Sequence, residues 1–278
     1  MDTIIEEAKR KSELKNTTSG ALDISSGGNN ITKYDLISTG IPKLDGRLGG
    51  GILSNSIVLI LHQINFRYWE FINLNMPFLG KKDFYVVIVD YVRPVDDFLY
   101  MATTSWRKGE EAQNSKELIS FDRIRIIDCF SSQPLSEGLS LRDKIYTLDE
   151  PFDTDRLLSL MRSVRENLPS SSWAVWIFGT LTDLSMGVPE EEVARFYRRA
   201  VRFHKQYGDL AFYMLNMDAH ETKFRAILSQ LSDVVIHFKV EETGEKLRSY
   251  MQVIKAPFPF DTTKLYYDIE SDGNIIYY

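Results

Sequence analysis

The chain reads as an α/β fold with a mainly parallel central sheet flanked by helices and a C-terminal antiparallel extension. Three observations point there. Apolar runs rich in Val, Ile and aromatic residues recur without the alternation of a half-exposed strand. Amphipathic helical stretches separate most of them, as crossover connections between parallel strands require. The last runs are instead joined by short turns such as Glu242-Thr243-Gly244, which suit antiparallel pairs.

Residues 1–15, MDTIIEEAKRKSELK, read as a short charge-rich helix whose apolar residues are Ile4, Ile5, Ala8 and Leu14. Residues 16–30 are rich in Ser, Gly and Asn and read as a flexible arm, so one folded domain is expected over 31–278, starting near Tyr34. SIVLIL at 56–61 is the first buried strand, followed by a helix over 66–79 with Phe66, Trp69, Ile72 and Met76 at helical spacing. FYVVIVDY at 84–91 is the second strand, 95–107 a helix and RIRIID at 123–128 the third strand. Residues 152–167 form a strong amphipathic helix, with Leu157, Leu158, Met161, Val164 and Leu168 on one face. WAVWIF at 173–178 and LAFYMLNM at 210–217 are strands, each followed by a helix, over 189–206 and 220–231. VVIHFKV at 234–240 and YMQVIK at 250–255 come next, and KLYYDIESDGNIIYY closes the chain as a hairpin around Asp272-Gly273. No repeat with a period of roughly 20–50 residues is visible, which argues against a solenoid.

The totals narrow the function. The chain has 278 residues, of which 44% are hydrophobic, enough for a sizeable core. Its net charge of −6 argues against a general electrostatic grip on nucleic acid. The single cysteine, Cys129, has no internal disulfide partner, which fits a reducing compartment. No apolar run approaches the roughly 18 residues that span a bilayer, and the N-terminus lacks a signal-peptide core. The expectation is a soluble cytoplasmic protein with no membrane association.

Residues 38–52 read STGIPKLDGRLGGGI, directly before the strand at 56–61. This stretch closely resembles the lead-in to the phosphate loop in the KaiC branch of the RecA-like ATPases, S-T-G-I-P-x-L-D-x-x-L-G-G-G-I. Further segments match in order. RIIDCF at 125–130 is similar to a short family strand ending in Ile-Asp, and FGTLTDL at 178–184 to the segment carrying the Walker B aspartate. Residues 231–255 are similar to the closing hairpin, and Gly273 to Tyr277 to the family's ending. The resemblance covers roughly residues 36–278 and implies a RecA-like P-loop NTPase fold.

It also implies a set of catalytic positions, and this chain departs from them. A phosphate loop needs glycines so that its N–H groups can turn around phosphate oxygens, a lysine for the β/γ charge and Ser/Thr for Mg²⁺. In register, the glycine positions fall on His62 and Arg67, the lysine on Tyr68 and the Ser/Thr on Trp69. The Walker B aspartate position falls on Gly179, while Asp183 matches a later loop position. The place of the family's catalytic glutamates holds Asp90 and Tyr91. Of a Lys-x-Arg pair that reaches a neighbouring subunit's nucleotide, Lys255 is kept, and the arginine position falls on Pro257, or on Ala256 if the spacing shifts. Cradle, lysine, metal carboxylate and trans-acting arginine are thus all replaced, leaving Asp90 and Lys255 as a residual polar site.

The resemblance therefore implies a catalytically inactive pseudo-ATPase with no cofactor and no metal. It would act as a scaffold or regulatory subunit with a protein partner: another copy of itself or an active KaiC-like relative. The N-terminal arm would help dock a neighbour. Two other readings stand beside it. One is an ATP-binding or ATP-hydrolysing protein with an unconventional site; apart from ATP, His62, Arg67 and Tyr68 could bind some other anion at a helix N-terminus. The other is a DNA-binding recombinase-like module. Arg195, Arg198, Arg199 and Arg202 share one helix face, read as solvated surface or as a contact face. The APFPF run at 256–260 suits either core packing or an exposed docking edge. His62, His204, His220 and His237 show no metal-ligand spacing, although Asp218, His220 and Glu221 could cluster locally.

Overall fold

The structure, a computed structural model, describes residues 35–63, 84–92, 121–131, 142–244, 246–269 and 275–278. The chain divides into two units, Met1–Ile31 and Thr32–Tyr278, and all described residues belong to the second. The expected N-terminal helix and arm, the helices at 66–79 and 95–107 and the tip of the last hairpin lie outside the described residues.

Two short strands, β1 (Leu36–Ile37) and β2 (Ile52–Leu53), pair antiparallel around helix α1 (Pro42–Arg47). The main sheet then takes β3 (Ile57–His62), β4 (Phe84–Asp90), β5 (Ile124–Asp128) and β6 (Ile145–Thr147). Helix α2 (Thr154–Glu166) leads to β7 (Trp173–Phe178), and α3 (Leu181–Ser185) and α4 (Glu190–Tyr207) lead to β8 (Leu210–Asn216). Helix α5 (Thr222–Leu231) precedes β9 (Val234–Thr243), β10 (Lys246–Lys255), β11 (Leu265–Ile269) and β12 (Ile275–Tyr277). Ten of the described strands form one sheet, ordered β12-β11-β10-β9-β3-β8-β7-β4-β5-β6. Pairing is parallel from β9 to β6 and antiparallel from β9 to β12, as the crossovers and short turns predict.

Helix α2 starts where Asp153 accepts the N–H groups of Asp155 and Arg156, both at 3.0 Å. Helix α4 opens with Glu190, Glu191 and Glu192, which favour a helix N-terminus, and ends at Gly208 with φ +74°. The buried residues of both helices pack on one sheet face against Leu59, Val87, Val89, Trp176, Phe178 and Tyr213. The alternate strand residues, such as Val58, Ile60, Ile88, Ile177 and Met214, are buried as well. The apolar runs lack alternation because both faces are covered. No described helix is long and apolar enough to cross a membrane.

The STGIPKLDGRLGGGI stretch forms a clamp. The Asp45 carboxylate accepts Ser38 Oγ–H at 2.6 Å, Thr39 N–H at 2.8 Å and Thr39 Oγ1–H at 2.7 Å. Gly49, Gly50 and Gly51 follow with φ of +74°, +119° and +134°, values that favour glycine. A Cβ on Gly51 would stand 2.5 Å from the Ile37 carbonyl oxygen, so β1 and β2 could not pair with a larger residue there. Arg47 ties the clamp to the C-terminal region through Asp261 at 2.6 Å. Sequence reasoning missed β1, α1 and β2 because two-residue strands and a one-turn helix carry no periodicity; the clamp specifies them. It missed β6 for the same reason.

Two predictions test these packing claims. Asp45→Ala removes three hydrogen bonds to a carboxylate and is expected to cost about 2–3 kcal/mol in urea unfolding; a loss under about 0.5 kcal/mol would contradict the clamp. His204 is fully buried, 2.7 Å from Tyr213 Oη, and its Nδ1 has no partner among the described residues. Burial holds its pKa down at about 3, with nearby Lys205 adding to the shift. The unfolded chain takes up the proton near pH 6.5 while the native chain does not, so stability falls as pH drops from about 6.5 toward 3. The expected slope from this group is about 1.4 kcal/mol per pH unit. His204→Phe should flatten the slope measured between pH 6.5 and 5, whatever its constant effect on stability. Equal slopes in the two proteins would refute the assignment.

Candidate functional site

Polar residues gather at the carboxyl ends of the parallel strands, where α/β sheets bind ligands. Strand register places them. Asp90 and Asp128 are neighbours at the ends of β4 and β5, with side chains on the same sheet face. Gly179 extends the β4–β7 pairing, donating its N–H to Val89 O at 2.7 Å. Gly179, the residue that sequence register assigns to the Walker B position, therefore lies beside Asp90 and carries no side chain. His62 and Asn216 are neighbours at the ends of β3 and β8.

The chain's own backbone engages these groups. Asp90 Oδ1 accepts Val92 N–H at 2.8 Å. Asp128 Oδ1 accepts Phe130 N–H at 3.0 Å and Ser131 N–H at 2.9 Å, while Oδ2 is buried without a hydrogen-bond partner among the described residues. Asp183 lies in α3, not in a loop as its sequence position suggested, and exchanges hydrogen bonds with Thr180, the helix N-cap. Asn216 Oδ1 accepts Asp218 N–H at 3.0 Å.

His62 is buried, and its Nδ1 lies 3.0 Å from the Gln63 carbonyl, a geometry that places a proton on Nδ1. Burial lowers its pKa, and the Gln63 carbonyl, Asp183 and Asp218 only partly oppose that. The neutral imidazole favoured near pH 7 offers an anion no charge. Gln63, the second residue of the segment aligned with the phosphate loop, is tied to β9. Its N–H donates to Phe238 O at 3.1 Å, and its Oε1 accepts Val240 N–H at 2.8 Å. Sequence reasoning missed Gln63; a polar residue directly after a buried strand was the available signal. Arg67, Tyr68 and Trp69 lie outside the described residues.

Lys255 is not with the others. Because β10 runs antiparallel to β9, Lys255 pairs with Val235 at the amino end of β9. Its Nζ donates to the carbonyls of Ser229, Gln230 and Ser232 at 3.1, 3.2 and 2.6 Å, capping the C-terminus of α5. Asp90 and Lys255 thus stand at opposite ends of the strands and form no joint site. Next to Lys255, the APFPF run is neither wholly core nor wholly exposed. Pro257 and Pro259 are exposed and Phe258 and Phe260 half-buried, and the Pro259 carbonyl would lie 3.2 Å from a Cβ on Gly49.

The remaining candidates resolve as structure. His220 reaches away from Asp218 and Glu221, placing Nδ1 2.6 Å from Glu190 Oε1 and Nε2 3.0 Å from Thr182 Oγ1. On α4, Arg195 pairs with Glu192 and Arg199 with Asp155, and Arg198 and Arg202 are exposed. Cys129 is buried beside Tyr91, and burial pushes its thiol far above the ordinary range, so it is an unreactive packing residue. No group of three or more His, Cys, Asp or Glu among the described residues is placed to hold a metal ion.

No protein-family sequence model matches the chain, and no curated protein sequence matches it. Among solved structures it is similar to the crystal structure of a KaiC-like protein from the hyperthermophilic archaeon Pyrococcus horikoshii OT3. The TM-score is 0.63 at 15% identity, over 88% of this chain and 99% of that one. A likeness at that identity speaks to architecture. The chain has a fold similar to that of this KaiC-like protein, a mainly parallel sheet with an antiparallel C-terminal extension.

Proposed function

We propose that the chain is a pseudo-ATPase on a KaiC-like fold, a scaffold or regulatory subunit that acts through protein contacts with itself or with an active relative. One observation carries the reading. The groups that sequence register assigns to nucleotide chemistry are engaged by the chain's own backbone or replaced: Asp90 and Lys255 are bonded internally, and Gly179 has no side chain. Phosphoryl transfer rests on positioning and on neutralising charge, which needs cations and a metal carboxylate aimed at the phosphates. Asp90, Asp128, Asp183 and Asp218 at this end of the sheet are carboxylates, which repel a polyphosphate; of the cations described there, Arg225 donates to the Met217 carbonyl at 2.9 Å and Lys239 lies on β9 just past the end of β3.

Addition of millimolar ATP with Mg²⁺ is expected to leave the melting temperature unchanged and to release no phosphate. A binder with ligand at about a hundred times its Kd would gain about 2.7 kcal/mol, a shift that thermal melts resolve readily. A Mg²⁺-dependent rise that Asp90→Asn abolishes would overturn the proposal in favour of an unconventional ATP site. Lys255→Met should lower stability by about 1–2 kcal/mol through the lost α5 cap, with no change in the response to nucleotide. A variant as stable as the parent would show that Lys255 is not held in this role.

A further inference from the structure

The carboxyl-end face carries an apolar patch rimmed by acids. Two segments meet there, DEPFD at 149–153 and MGVPEEE at 186–192. The Phe152 ring lies flat against Gly187, where a Cβ would stand 2.1 Å from the ring. Tyr91 stacks on Phe152 with centroids 6.5 Å apart, and its hydroxyl donates to Pro151 O at 2.6 Å, so the patch rests on the sheet end. Phe152 remains 43% exposed and the adjoining Met186 80%. A large, unbranched, soft side chain at that exposure beside an aromatic ring is an anchor without a cover.

The rim is one-sided in charge. The two segments contribute Asp149, Glu150, Asp153, Glu190, Glu191 and Glu192. Arg156 pairs with Glu150 and Asp153, Arg195 with Glu192, and His220 with Glu190. Asp149 and Glu191 are exposed and have no cationic partner among the described residues.

We propose that the patch formed by Phe152, Gly187 and Met186, with Asp149 and Glu191 on its rim, docks a cationic, apolar-anchored segment of a partner protein. Charge complementarity selects the occupant: apolar side chains of the segment cover Phe152 and Met186, and its Lys or Arg residues meet the unpaired carboxylates. The proposal rests on the reading that the chain works through protein contacts and names the surface it uses.

Fluorescence anisotropy with two labelled amphipathic probe peptides tests it, one of leucine and lysine and one of leucine and glutamate. The leucine–lysine peptide is expected to bind saturably and more weakly as salt rises, and the leucine–glutamate peptide not to bind. Asp149→Lys/Glu191→Lys should weaken binding by about tenfold or more. Met186→Ser, which alters an exposed side chain and leaves the charge unchanged, should weaken it by about fivefold. Leu247→Glu, on β10 at the antiparallel end of the sheet, should change nothing. Absence of saturable binding, equal binding of both peptides, or indifference to the substitutions at 149, 186 and 191 would overturn the proposal. So would an equal loss in Leu247→Glu. Any of these results, obtained alongside an unchanged melting temperature in ATP, removes this surface and leaves the pseudo-ATPase reading standing.

Discussion

A sheet buried on both faces confines polar chemistry to its strand ends, and every polar group there needs a partner. An enzyme leaves some of those partners to its substrate. In this chain the backbone supplies many of them. Asp90 and Asp128 close turns, Asp183 completes an N-cap with Thr180, and Gln63 fastens the end of β3 to β9. These bonds hold the carboxyl ends of β3, β4, β5 and β7 from within the chain.

The lead-in stretch obeys the same constraint. Asp45 and the glycine turn at 49–51 hold β1, α1 and β2 together through bonds wholly within the chain. Their work is architectural, and it continues whether or not a nucleotide sits nearby. Lys255 makes the parallel point at the other end of the strands. Its ammonium group serves three carbonyls at the end of α5, so its presence in the sequence says nothing for ATP. A motif match is evidence of chemistry only where its side chains point at a ligand.

Much of the fold was legible in the sequence, and for physical reasons. Runs such as SIVLIL and WAVWIF announce strands covered on both faces, and the Leu157–Met161–Val164 stripe announces a helix packed on one side. The observed bounds differ from the expected ones mainly at the ends: α2 begins at Thr154 because Asp153 caps it, and β9 and β10 extend to Thr243 and from Lys246 because the hairpin continues to pair past the buried core. The site was less legible. Register could not show that Lys255 lies at the opposite strand end from Asp90. That depends on β10 running antiparallel to β9, which turns the same residue spacing into the opposite direction. Nor could spacing reveal that His220 would choose Glu190, thirty residues away, over the adjacent Asp218.

On the proposed reading, the loss of nucleotide chemistry reinforces itself. Position 179, directly after β7, offers no carboxylate to Mg²⁺, and Asp90 and Asp128, side by side at the ends of β4 and β5, oppose a polyphosphate. A lysine introduced near His62 would meet Asp183 and Asp218, the groups already felt by that imidazole, and would be drawn to them. Restoring a grip on phosphate therefore requires several changes together: a carboxylate on β7, a free cation at the end of β3 and a loop released from β9. No single one of them gives a binding advantage alone.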